Sequence, residues 1–129
     1  MNVAPRPAIL VVEDQYDVRR LVADTLRREG YLVEEAADGA EALPSLDPGR
    51  PVHRPGLIVL DLSLPEVDGL TVLHHVATLG PPPPVIAMSA DRDLLAAARA
   101  AGVQATLSKP FGMGELLDLV EQLASGLMP

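Results

Sequence analysis

Glu13, Asp14, Asp61, Ser89 and Lys109 are the side chains of this sequence that could do chemistry together. Each closes or directly follows a short apolar run. Ile9–Val12 leads into Glu13 and Asp14, Leu57–Leu60 into Asp61, Val85–Met88 into Ser89, and Ala105–Ser108 into Lys109. Three carboxylates brought close repel and raise one another's pKa unless a cation lies among them. All-oxygen donors with no thiol select a hard divalent ion, Mg²⁺ most naturally. That ion favours few carboxylates, several waters and a phosphate oxygen, so the set reads as a holder for a metal beside a phosphoryl group. Lys109 supplies a point positive charge and Ser89 a hydroxyl, both suited to phosphoryl oxygens. An aspartate in this company can be the nucleophile and form an aspartyl-phosphate. Phosphoryl transfer then asks mainly for positioning and charge neutralisation. Asp61 is the candidate, because its strand end lies between the acidic pair and the Ser/Lys side.

The elements that must position these groups follow from the apolar pattern. Ala8–Val12 is a continuous apolar run with β-branched residues, as expected of a strand buried on both faces. Val18, Leu21, Val22 and Leu26 recur at helical spacing, and Gly30 follows as a stop. Tyr31–Ala37 reads as a second strand nearer an edge. Asp38-Gly39 is a turn, and Ala40–Leu46 a helix that Pro44 should leave short, kinked or displaced. The proline- and glycine-rich segment 47–56 is a surface loop. Leu57–Asp61 is a third strand and Leu70–Leu79 a helix. Pro81–Pro84 is a stiff connector, read as a spacer rather than a ligand for a proline-binding module. Val85–Ser89, Leu94–Ala101, Ala105–Lys109 and the face Met113, Leu116, Leu117, Val120, Leu123, Leu127 complete the series. Strand and helix alternate five times. That predicts a single doubly wound (βα)5 α/β domain with a five-stranded parallel sheet and helices on both faces. Such sheets gather the carboxyl ends of their strands on one edge, where ligands bind. Residues 1–7 are expected to be a tail and 8–127 the domain.

Composition narrows the classes of function. The chain has 129 residues, 48% of them hydrophobic, enough for one core. Its net charge of −8 carries no basic nucleic-acid footprint, and three aromatic residues make no base-stacking platform. No cysteine is present, which removes disulfides, thiolate metal sites and cysteine nucleophiles and fits a cytoplasmic, reducing setting. No apolar stretch approaches the ~20 residues of a membrane span, and residues 1–7 do not form a secretory signal. His53, His74 and His75 lack the spacing and acidic company of a metal site and are read as solvated.

The order and spacing of these residues make the chain similar to a response-regulator receiver domain of two-component signalling systems. The matching segments are Glu13-Asp14 after the first strand, Asp61-Leu-Ser-Leu-Pro65-Glu-Val-Asp68-Gly69, Ser89-Ala90, and Lys109-Pro110-Phe111. They cover essentially all of 8–127, and four motifs in register are far more specific than one. The resemblance implies a flavodoxin-like sheet of order 2-1-3-4-5. It implies that Asp61 accepts a phosphoryl group from a phosphohistidine on a sensor histidine kinase or histidine phosphotransfer protein. It further implies that Asp14 and Asp61 bind Mg²⁺ directly, Glu13 through water, and the backbone carbonyl of Ser63 as the remaining protein ligand. Ser89 and Lys109 would contact the phosphoryl oxygens, and the Lys109–Pro110 bond would be cis. Ser63 and Asp91 fall where the family tunes its dephosphorylation rate. The output would be a changed contact with a downstream protein, with no small-molecule turnover, nucleic acid or membrane involved.

One position departs from the family. Three residues before the site lysine the family usually has Tyr or Phe, whose ring moves as the hydroxyl swings to the phosphoryl group; here it is Thr106. That substitution brings in an alternative, a phosphorylation-independent docking or adaptor module with a vestigial switch. Two other classes fit less well. A haloacid-dehalogenase-type phosphatase would need an acid two residues after its nucleophile, where this chain has Ser63. A flavodoxin-like cofactor module would need a phosphate cradle after the first strand, where Glu13-Asp14 would repel the phosphate.

Overall fold

The computed structural model describes residues 6–47, 55–64, 68–78 and 82–124. Ten elements follow in strict alternation: β1 (Ile9–Val12), α1 (Tyr16–Arg28), β2 (Val33–Ala36), α2 (Gly39–Ser45), β3 (Leu57–Asp61), α3 (Gly69–Ala77), β4 (Val85–Ser89), α4 (Arg92–Ala100), β5 (Ala105–Ser108) and α5 (Met113–Ala124). The strands form one sheet of order β2-β1-β3-β4-β5, every pair parallel. This is the flavodoxin-like arrangement expected from the sequence.

Successive side chains of a strand point to opposite faces, so each strand feeds two cores. Leu10, Val12, Ile58, Leu60 and Ala87 face Ala42, Val72, Leu95 and Ala98 of α2, α3 and α4. Ile9, Val11, Val59, Ile86 and Met88 face Val22, Leu26, Leu116 and Val120 of α1 and α5. The three inner strands are buried along their whole length, which is why they read as unbroken apolar runs. β2 is only half-buried, as an edge strand is.

Several boundaries differ from the sequence expectation for physical reasons. β2 begins at Val33 because Tyr31 belongs to the exit of α1. Gly30 sits at φ +93° and the Tyr31 N–H donates to the Leu26 carbonyl at 3.3 Å. Tyr31 is buried, and Arg6 donates to its hydroxyl at 2.8 Å. α2 is a seven-residue helix containing Pro44, short as that proline predicts. α3 and α4 start one and two residues earlier than their apolar spacing suggests, because Asp68 and Asp91 cap them. Asp68 accepts from Thr71 N–H at 2.8 Å, and Asp91 accepts from the N–H groups of Asp93 and Leu94 at 2.8 and 3.3 Å. Segment 48–54, which includes His53, together with Leu79, Pro81 and Leu127, lies outside the described residues.

Candidate functional site

The carboxyl ends of β1, β3 and β4 and the exit of β5 meet on one edge of the sheet and bring the five predicted residues there. Glu13 leaves β1 with its N–H donated to Ala36 of β2 at 3.0 Å. Its side chain is fully buried: Oε1 accepts from Lys109 Nζ at 2.7 Å, and Oε2 accepts from Gln15 N–H at 3.2 Å. Asp14, one residue on, is exposed. Asp61 is the last residue of β3 and is 2% exposed. Its Oδ1 accepts from Ser63 N–H at 3.0 Å, while Oδ2 lies 3.4 Å from Lys109 Nζ. Glu13, Asp14 and Asp61 each present an oxygen such that all three lie within 4.8 Å of one another. That spacing and donor chemistry fit a hard divalent cation.

Ser89 is fully buried at the end of β4. Its Oγ accepts from Asp91 N–H at 2.9 Å and lies 3.5 Å from the Ser63 hydroxyl. Its carbonyl accepts from Lys109 N–H at 3.0 Å, which fastens the β5 exit to β4. The Lys109–Pro110 peptide bond is cis. Lys109 Nζ reaches inward across the edge and serves Glu13 and Asp61 at once.

Burial sets the electrostatics. It pushes the Glu13 carboxyl up to about 7, since losing water penalises the charged form; the nearby Asp61 adds to the rise, and the hydrogen bond from Lys109 offsets it only in part. Burial also works against the Lys109 ammonium, yet the hydrogen bond to Glu13 and the charges of Asp61 and Glu13 outweigh it and raise its pKa above 10.5. Three carboxylates and one ammonium leave the pocket short of positive charge, which a divalent cation would supply.

Sequence reasoning missed three contributors. Gly69 opens α3 with its backbone pressed against Asp61: an added Cβ would lie 2.5 Å from Leu62 Cα and 2.7 Å from the Asp61 carbonyl oxygen. Asp68-Gly69 reads as a turn in the sequence, and only the close approach explains why it must be glycine. Arg19 of α1 donates to the Glu13 carbonyl at 3.0 Å and to Glu35 of β2 at 3.3 Å. The signal for it was the facing of an arginine-rich helix and a glutamate-bearing strand. Arg99 of α4 donates to the Thr106 hydroxyl at 2.9 Å, tying helix to strand at the position of the usual aromatic. His74 and His75 are exposed, as read from the sequence. Beside the site, Val18 and Leu21 of α1 face Phe111 and Met113 across a groove of about 370 Å³ whose lining includes Lys109.

The family model of the response regulator receiver domain matches residues 9–121. The chain is 35% identical over 119 residues to the transcriptional regulatory protein PdtaR of Mycobacterium tuberculosis, covering 91% of this chain and 56% of that protein. It is 32% identical over 116 residues to sporulation initiation phosphotransferase F of Bacillus subtilis, covering 88% of this chain and 90% of the relative. Among solved structures, the receiver domain of NtrX from Brucella abortus superposes with a TM-score of 0.81 at 30% identity, covering 91% of this chain and 98% of that one. The chain belongs to the response regulator receiver domain family of two-component signalling. It spans little more than half the length of PdtaR and about half that of several other regulators it matches.

Proposed function

We propose that this chain is a phosphoacceptor switch, with Asp61 as the acceptor and residues 8–127 as the working domain. The observation that carries the reading is Asp61 itself, buried at a central strand end within 3.4 Å of Lys109 and grouped with Glu13 and Asp14. The donor is the phosphohistidine of a sensor histidine kinase or histidine phosphotransfer protein. A carboxylate oxygen of Asp61 forms the new O–P bond as the N–P bond breaks. The bonding pair returns to the ring nitrogen: a ring protonated at its other nitrogen leaves as neutral imidazole, and an unprotonated ring takes a proton from solvent as it leaves. Asp14, Asp61 and the Ser63 carbonyl would hold Mg²⁺, with Glu13 acting through water. The ion would neutralise charge on the phosphoryl oxygens. Lys109 turns part of its charge from Glu13 and Asp61 to those oxygens, and the Ser89 hydroxyl, which accepts from the Asp91 N–H, has its proton free to donate to them. The apolar groove between α1 and Pro110–Met113 adjoins Lys109 and offers the donor a place to rest. Output is a changed contact with a downstream protein in the cytoplasm; no small molecule is turned over, and neither nucleic acid nor membrane is engaged by this domain.

Incubation with phosphoramidate or acetyl phosphate and Mg²⁺ should add one phosphoryl group by intact mass, and Asp61→Asn should abolish it. Equal labelling of the two proteins would reject the assignment. The contact between Arg99 and Thr106 favours a second reading, a docking module whose site no longer moves its far face. Backbone NMR shifts with beryllofluoride separate the two. Shifts that reach α4 and β5 support the switch, and shifts confined to the pocket support the docking module.

A further inference from the structure

We infer that Arg19 is a positioning residue that sets the turn presenting Glu13 and Asp14, and so sets the affinity of the pocket for its cation. The inference rests on the cation reading above. Arg19 is nearly buried, 14% exposed, although it belongs to an otherwise solvated arginine row on α1. Its Nη1 donates to the main-chain carbonyl of Glu13 at 3.0 Å. Its Nε donates to Glu35 Oε1 at 3.3 Å, and its guanidinium lies 5.3 Å above the ring of Tyr16. Its own N–H closes the first turn of α1 onto Gln15 at 2.9 Å.

These contacts converge on residues 13–16. α1 starts without a side-chain cap at Gln15, so the usual means of fixing a helix entry is lacking there. The Gln15 N–H instead donates to Glu13 Oε2, and the Glu13 carbonyl is held from the other side by Arg19. A planar guanidinium can hold a carbonyl and a carboxylate at once in fixed directions; a single ammonium cannot do so with the same geometry. Glu35 in turn is fixed by Arg20 at 2.8 Å and Arg27 at 2.9 Å, which anchors the fork to the edge strand. Arg19 would thereby orient two of the three acidic residues without touching the cation.

The sign of the effect separates this role from simple electrostatics. A positive charge near a cation site weakens cation binding, so deleting it should tighten the site if charge were its only contribution. A positioning role predicts the opposite. Mg²⁺ titrations followed by amide shifts of Asp14, Gln15 and Asp61 should show Arg19→Met and Arg19→Lys binding roughly ten- to a hundredfold more weakly than wild type, the usual range for residues that orient metal ligands. Arg28→Met removes the same charge from an exposed position of α1 that contacts neither Glu13 nor Glu35, and should bind as wild type. Phosphorylation by phosphoramidate in the Arg19 variants should be slow at limiting Mg²⁺ and recover at saturating Mg²⁺. Arg19→Met binding Mg²⁺ as tightly as wild type, or more tightly, would overturn the proposal. Hydrogen exchange at Gln15 in the metal-free proteins is the independent arm: it should quicken in both Arg19 variants and not in Arg28→Met, and unchanged exchange in the Arg19 variants would overturn the proposal by itself. If wild type takes up no Mg²⁺, the cation reading fails, while Gln15 exchange still decides whether Arg19 holds the turn.

Discussion

Gly69 and Asp61 show how closely a reactive residue is set by a neighbour with no chemistry of its own. The backbone of Gly69 packs on the Asp61 carbonyl and the Leu62 backbone, and no flexible side-chain end is available to yield. Gly69→Ala should therefore force α3 away from the end of β3. A cost of about 1–3 kcal/mol is expected, the range for overpacking, to be read as a lower urea midpoint with unchanged slope. The same variant should slow phosphorylation of Asp61 beyond any loss of folded protein at the assay temperature. Glu13, Asp61 and Ser89 were legible because an acid or a hydroxyl is conspicuous after four buried apolar residues, whereas Lys109 follows Ala-Thr-Leu-Ser, of which only Leu107 is buried, and stood out by its order and spacing relative to the other three. Gly69 was not legible in this sense. A glycine after an aspartate reads as a turn, and only coordinates reveal the backbone it would strike.

At the scale of elements, α4 shows where apolar spacing fails. Its first turn is Arg92-Asp93-Leu94, so a reading that waits for apolar residues begins at Leu94 and misses two residues. Its cap, Asp91, carries two duties. The side chain satisfies the N–H groups of Asp93 and Leu94, and the backbone N–H donates to Ser89 Oγ. A shift of the Ser89 hydroxyl is thus felt directly at the residue that caps α4. Asp91→Ala should cost about 1 kcal/mol of stability by urea unfolding, the usual value for a lost cap, and Asp91→Asn should restore most of it. The order of strands in the sheet was not in the periodicity either. Local patterning gives alternation and burial, but β1 lies between β2 and β3 through crossovers that only the family resemblance supplied in advance.

For the whole molecule, the pocket links stability to pH and to Mg²⁺. In the metal-free protein the Glu13 carboxyl titrates near 7, against 4.5 for its ordinary value. A carboxyl raised on folding favours the folded state while protonated. Its contribution is complete below 4.5 and is lost as pH rises through about 7. Lys109, raised above 10.5, stays charged across that window and adds no slope there. The difference in unfolding free energy between wild type and Glu13→Gln should therefore move against wild type from pH 5 to pH 7.5 without metal. A cation in the pocket favours ionised Glu13, so Mg²⁺ should reverse that trend. At a hundredfold excess over its dissociation constant it should stabilise the folded protein by about 2.7 kcal/mol, and less at pH 5, where protons compete. Thermal unfolding of both proteins at the two pH values, with and without Mg²⁺, measures all of these terms. A wild-type difference that is flat with pH in the absence of metal would mean that the Glu13–Lys109 pair ionises as it would at the surface. Lys109 alone would then relieve the burial of Glu13, leaving a cation less to offset there.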